Sequence, residues 1–300
     1  MFKTYLGVAS LLALSACAMA VPSDDDNIET QESDLTSELA PNGKQKGTNK
    51  ASGAGGGGGM VYHGGPIMLG TTKAYYIWYG NWAGNTAQPI LTDLATNIGG
   101  SPHFNINTTY YNSSFTRVSN SVAFGGSTVD SYSQGAALSD NGVWSVVASA
   151  LASNALPTDP HGVYFVLTSA DVDETSGFCT KYCGWHYYDG PSGIKYSFVG
   201  NAARCPSACA AQTTKSPNGN VGADAMASVL VHELEEAVTD PYLNAWYDRR
   251  GYENADKCAW TFGATYVANG AAANMKLGTR HYLIQQNWVN VGAGKCALKY

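Results

Sequence analysis

Residues 221–241, "VGADAMASVLVHELEEAVTDP", decide how this chain folds. Val221, Ala225, Met226, Val229, Leu230, Leu234 and Val238 recur at three- and four-residue intervals, which predicts a helix from about Val221 to Thr239 with a broad apolar stripe. Asp240-Pro241 ends it, because proline lacks an amide hydrogen and restrains the residue before it. Such a stripe belongs to a largely buried helix. His232 and Glu236 stand four residues apart and so point the same way, at the edge of the stripe. The pattern His-Glu-x-x-Glu differs from the zinc-peptidase pattern His-Glu-x-x-His only in its last residue.

Zinc accepts imidazole nitrogen and carboxylate oxygen in one tetrahedral shell, so Glu236 is a chemically competent substitute for a histidine. Glu233, beside His232, is then placed to act as general base. A third ligand must come from elsewhere. "GYENADKC" (251–258) offers Glu253 and Asp256, three apart and on one face if that segment is helical. As in zincins of the thermolysin type, Glu253 is expected as the third ligand and Asp256 as the partner that steadies the histidine, and an exchange of these two roles is equally admissible. His186, in "CGWHYYDG" (183–190), is a reserve ligand or a polariser of a substrate carbonyl. Burying a carboxylate beside an imidazole without a partner costs on the order of several kcal/mol, so a cation is expected with them. One imidazole and two carboxylates suit Zn2+ and also admit manganese or another oxygen-tolerant divalent ion. The competing structural reading is a solvated acidic helix face followed by a capped turn.

Working outward, residues 1–20 carry an early lysine, an apolar run and small residues flanking Met19, the marks of a secretory signal peptide too short to span a membrane. "LSAC" ending at Cys17 also matches a bacterial lipoprotein box. Residues 21–59 are acidic and then glycine-rich, which predicts a disordered linker or pro-segment, and residues 60–300 form one domain. Six further cysteines in a chain bound for an oxidising compartment predict three disulfides, with pairing left open. Asn107 and Asn112 stand in glycosylation sequons that matter if the source is eukaryotic. A net charge of −6 without a basic stripe argues against nucleic acid as a partner. No later apolar run approaches a membrane span, and a soluble, secreted monomer is expected.

"AYYIWYG" (74–80), "GVYFVLTS" (162–169) and "KYSFVGN" (195–201) read as strands, whereas "QPILTDLATNIGG" (88–100) and "DNGVWSVVASALASN" (140–154) have helical spacing. Their alternation predicts an α+β domain of mixed α/β layers: a zincin-like mixed sheet packed against the long metal-site helix and stapled by disulfides.

In fixed order, "HGGPIMLG", "YYIWYGNW", "SPHF", "YFVLTSADV", "GFCTKYCGWH", "SPNGNVGADAM", "HELEEAVTDP", "NAWYD" and the closing "DKC" to Cys296 resemble the phosphate-induced protein 1 family, also called EXORDIUM-like proteins. The resemblance spans nearly everything from Tyr62 to Tyr300. It implies secreted proteins of plants and some microbes, placed in the apoplast or cell wall and associated with cell expansion and growth. Within such a family this chain is similar to the members that keep His232, Glu233, Glu236, Glu253 and Asp256.

Two functions compete. One is a secreted metal-dependent hydrolase, a zincin-like metallopeptidase acting on a peptide or protein substrate, with Glu233 as base and His186 or Tyr247 assisting. The other is a non-catalytic extracellular protein that binds cell-wall polysaccharide or a receptor, with Trp78, Tyr79, Trp82, Trp185, Tyr187 and Tyr188 as candidate faces for sugar rings.

Overall fold

The computed structural model describes residues 58–300. The expected signal peptide, Cys17 and all but the end of the acidic, glycine-rich segment lie outside the described residues.

A five-stranded sheet organises the domain. Its strands are β1 (Thr72–Tyr79), β2 (Val122–Asp130), β3 (Gly162–Thr168), β4 (Gly184–Tyr188) and β5 (Lys195–Val199), in the order β2-β1-β3-β5-β4. The first four of that order run parallel, and β4 lies antiparallel to β5 at the edge. Strand β1 lies inside the sheet between β2 and β3 and sends its aromatic rings to both faces. Tyr75 stacks on its cross-strand neighbour Tyr164 at 4.9 Å, and Tyr76 donates its hydroxyl to the Leu91 carbonyl at 3.0 Å. Burial on both faces is why the sequence of β1 is continuously apolar rather than alternating.

Helix α1 (Ala87–Asn97) joins β1 to β2, and helix α2 (Asp140–Ala152) joins β2 to β3. The two crossovers travel in opposite directions across the sheet, so right-handed connections set the helices on opposite faces. Helix α3 (Val221–Thr239) packs beside α1 and against β4 and β5. Asn220 caps it by accepting the Ala223 amide at 3.0 Å. At the other end Asp240 accepts the amides of Asn244 and Ala245, both at 2.7 Å, and turns the chain away. All of α3 except Val221 and Ala225 is buried, so its polar residues are enclosed as fully as its apolar ones.

Two strands escape the sequence pattern. In β2 the register slips at Tyr75, leaving Gly125 unpaired, and a Cβ there would stand 2.5 Å from the Tyr75 ring. Glycine is thus required where an aromatic ring crosses the strand. In β4 a Cβ on Gly184 would meet Val229 at 2.5 Å and Glu233 at 3.1 Å, so strand and helix approach as closely as glycine permits.

The six cysteines form three disulfides, as expected. Cys179–Cys205 and Cys183–Cys209 tie the approach to β4 to the segment after β5, and Cys258–Cys296 ties the loop after α3 to the C-terminal hairpin. The mixed α+β architecture and its disulfide stapling therefore agree with the sequence. Cys258–Cys296 closes a loop of sequence separation 38. Paired serine substitution at both positions is expected to lower the unfolding free energy by about 2–4 kcal/mol in urea titration. An unchanged midpoint would show that other contacts already hold the loop.

Candidate functional site

Three elements converge at the C-terminal half of α3. The helix supplies His232, Glu233 and Glu236, β4 supplies His186, and the loop after α3 supplies Glu253 and Asp256. His232 Nε2 lies 3.0 Å from Glu236 Oε1 and 3.4 Å from Asp256 Oδ1. His186 Nε2 lies 3.0 Å from Glu253 Oε2 and 3.8 Å from Glu236 Oε2. Asp256 thus stands beside His232, whereas Glu253 faces His186, and Glu236 lies between the two histidines with one oxygen toward each. The Asp256 amide donates to Glu236 Oε1 at 3.0 Å, which fixes the loop against the helix.

All of these side chains are enclosed. Glu236 is 0% exposed, Glu253 1%, Glu233 2% and His232 7%. Among the described residues, their only ion-pair partners are the two histidines. Burial pushes the carboxyl of Glu236 up to about 7, reinforced by the charge of Asp256. Glu233 and Glu253 are pushed well above the ordinary carboxylate range by burial and then by Glu236. Burial alone would lower His232, but the attraction of Glu236 and the bonds to Asp256 and Glu236 outweigh it and raise the imidazole well above its usual value. His186 is lowered to about 3 by burial and then by the charge of His232, so it is neutral, the form that ligates metals.

Several buried polar atoms here have no hydrogen-bond partner: His186 Nδ1, His232 Nδ1, Glu233 Oε2, Glu236 Oε2 and Glu253 Oε1. Buried carboxylates left without donors are costly. The donor set fits a divalent cation: His232, Glu236 and Asp256 bring ligand atoms within 4.8 Å of one another, as do His186, Glu236 and Glu253. His232, Glu233 and Asp256 also border a small pocket walled by Gly184, Val229, Trp260 and Gln285, whose free space of about 20 Å³ is enough to admit water.

The dipeptide Glu235-Glu236 divides its labour. Glu235 turns away from the site and pairs with buried His103 at 3.2 Å, and His103 Nδ1 is bonded to the Leu298 carbonyl at 3.0 Å. The sequence signal for His103 is only its place in "SPHF". Asn107 corrects an expectation. It is 0% exposed, accepts from Asn254 at 3.2 Å and Asn287 at 3.1 Å, and donates to the Phe104 carbonyl at 3.1 Å. It therefore clamps the Glu253–Asp256 loop and is closed to glycosylation in the folded chain, whereas Asn112 is only half-buried. Trp78, Tyr79, Trp82 and Trp185 are core residues, and only Tyr187 and Tyr188 of the six candidate sugar faces are partly exposed. Tyr247 stacks on His63 with ring centroids 3.6 Å apart.

Fold and site together define a disulfide-stapled α+β protein built around an enclosed histidine–carboxylate cluster. The phosphate-induced protein 1 conserved region matches residues 60–288, and the chain belongs to that family. It is 32% identical to EXORDIUM-like 3 of Arabidopsis thaliana over 274 residues, covering 77% of this chain and 81% of the relative. EXORDIUM-like 5 of the same plant is also 32% identical, covering 76% and 75%. PHOSPHATE-INDUCED 1 of Nicotiana tabacum is 25% identical, covering 63% and 67%. No solved structure matches the chain. Among the described residues no helix is long and apolar enough to cross a membrane.

The shifted groups predict a pH dependence for metal-free protein. Glu236, Glu233, Glu253 and His232 have raised values, so each holds more proton folded than unfolded as pH rises, and stability falls. His186 is depressed and works the other way, but only up to about pH 6.5, where the unfolded imidazole loses its proton. EDTA-treated protein should therefore melt several degrees lower at about pH 8.5 than at about pH 6.5. A flat or rising profile over that window would contradict the enclosed cluster.

Proposed function

We propose that this chain is a secreted, wall-associated extracellular protein of the EXORDIUM class with a non-catalytic, growth-related role, in which His232, Glu236 and Asp256 hold a divalent ion, zinc foremost. The observation that carries the metal reading is the approach of two carboxylate oxygens to His232 Nε2, at 3.0 and 3.4 Å, in a buried region where no lysine or arginine pairs with them among the described residues. The ion would supply positive charge that joins α3 to the Glu253–Asp256 loop. Closed sites are characteristic of structural metals, and Glu236 is 0% exposed. None of the relatives named above carries the name of a hydrolase. The signal-like first twenty residues and three disulfides support secretion. Wall polysaccharide or a receptor is the partner class on this reading, with the partly exposed Tyr187 and Tyr188 of β4 as the aromatic surface.

One observation favours a second reading, a zincin-like metallopeptidase with Glu233 as base. Glu233 Oε2 lacks a partner, and Glu233 shares the small pocket with His232 and Asp256. The edge strand β4 runs past that carboxylate, where an extended peptide would add as a further strand. His186 would remain neutral near the bound chain. The ion would supply Lewis acidity, and Glu233 would hold the proton.

Elemental analysis after gel filtration tests the metal that both readings require, and peptide cleavage and glycan binding separate the two. Wild type is expected to retain a divalent ion, and zinc at about 100 times its Kd should raise stability by about 2.7 kcal/mol. His232→Ala is expected to weaken the ion by roughly 100-fold or more. Peptide libraries should remain uncut, while wall-glycan pull-down should survive Glu233→Gln. Failure to retain or take up any metal overturns the metal reading, and cleavage that Glu233→Gln abolishes would establish the peptidase instead.

A further inference from the structure

An ion on His232, Glu236 and Asp256 leaves half of the cluster unexplained. Glu236 Oε1 serves that triad, but Glu236 Oε2 has no hydrogen-bond partner and faces His186 Nε2 at 3.8 Å. Glu253 Oε2 meets the same His186 nitrogen at 3.0 Å, while Glu253 Oε1 is also without a partner. Glu236 and Glu253 are 0% and 1% exposed, so water does not satisfy them from bulk solvent. The second set has its own ligand spacing, with atoms of His186, Glu236 and Glu253 all within 4.8 Å.

We propose that the cluster holds two divalent cations that share Glu236, one on His232, Asp256 and Glu236 Oε1, the other on His186, Glu253 and Glu236 Oε2. This inference rests on the reading of His232, Glu236 and Asp256 as a metal site, and it adds a second position and a different stoichiometry.

Charge supports the pair. Glu233, Glu236, Glu253 and Asp256 carry four negative charges when ionised, and no lysine or arginine pairs with any of them among the described residues. One divalent ion leaves two negative charges enclosed in protein, each costing on the order of several kcal/mol, whereas two ions bring the count to zero with both imidazoles neutral. Nearby Asp240 takes the backbone amides of Asn244 and Ala245 on Oδ1 at 2.7 Å, while its Oδ2 has no hydrogen-bond partner. A carboxylate with one oxygen toward each of two donor sets is the arrangement that paired metal sites use. Imidazole and carboxylate donors in these proportions suit Zn2+ or Mn2+.

The test is stoichiometry on the full secreted chain. Protein stripped with EDTA, reloaded with Zn2+ and dialysed should carry two ions by mass spectrometry. His186→Ala and Glu253→Gln should each halve the bound zinc and keep the His232 ion, and His232→Ala should keep the other. Near-UV circular dichroism confirms that each variant is folded. Loading with Mn2+ should give a spin-coupled resonance spectrum in wild type and an uncoupled one in Glu253→Gln, and the wild-type spectrum decides the question even if a variant does not fold. Saturation of wild type at one ion, lost in His232→Ala but retained in Glu253→Gln, overturns the second position and leaves the proposed single-metal function standing. Two ions retained in Glu253→Gln overturn it as well. No bound metal at all removes both.

Discussion

Everything near the functional end of this molecule follows from enclosing carboxylates on a helix that has no solvent-facing side. An amphipathic surface helix would let Glu233, Glu235 and Glu236 point outward at little cost. Helix α3 cannot do so, because α1, β4 and β5 cover it and all but two of its residues are buried. Each acidic side chain must then find compensation within the protein. Glu235 finds it in His103. Glu236 and Glu233 are buried with other acids beside them, and burial first, then those charges, holds their protons tightly in the metal-free chain. A structural ion pair and an unresolved cluster thus sit on consecutive residues of one helix, separated only by the rotation between neighbouring positions.

The surroundings are built to hold that cluster in place. Gly184 lets β4 approach α3 until His186 reaches Glu236. Asn107 and Asn254 bind the acidic loop to the helix backbone, with Asn254 donating to the Glu235 carbonyl at 3.2 Å. Lys257 pairs with Asp248 at 2.9 Å and lies over Trp288, so the cation beside the loop is spent on the loop's own turn and not on Glu253 or Asp256. Cys258–Cys296 fixes the following residues. These contacts come from segments far apart in sequence, so the position of Asp256 relative to His232 is a property of the whole fold.

That dispersion explains what the sequence revealed and what it hid. The 3.6-residue period and its proline stop define α3 to its ends, since both signals are local. The aromatic runs of β1, β3 and β5 are legible because both faces are buried. Strand β2 is not, because Gly125 and Gly126 interrupt it to admit the Tyr75 ring, a demand set by another strand. The acidic pair Glu253 and Asp256 stands out by spacing, but only three-dimensional packing assigns one to His186 and the other to His232. The segment that carries them is not a continuous helix, since only Asp256–Cys258 forms a 3-10 turn. Asn107 shows the converse error, in which a short sequon suggests an exposed acceptor while the folded chain uses the amide as an interior clamp.

The two functional readings make opposite demands on Glu233. A metal that joins helix to loop needs the cluster sealed and gains nothing from a carboxylate at the pocket wall beyond its charge. A hydrolase needs that carboxylate to meet water and substrate together, and the pocket beside it is small, with free space of about 20 Å³. Enlarging it means moving Trp260 or Gln285, and Gln285 is held by Ser228 of α3 while it accepts the Trp260 amide at 2.6 Å. The wall of the pocket is therefore tied to the helix that carries the cluster. A substrate entering there would have to break those bonds, and this cost is the physical reason for preferring the closed, non-catalytic role.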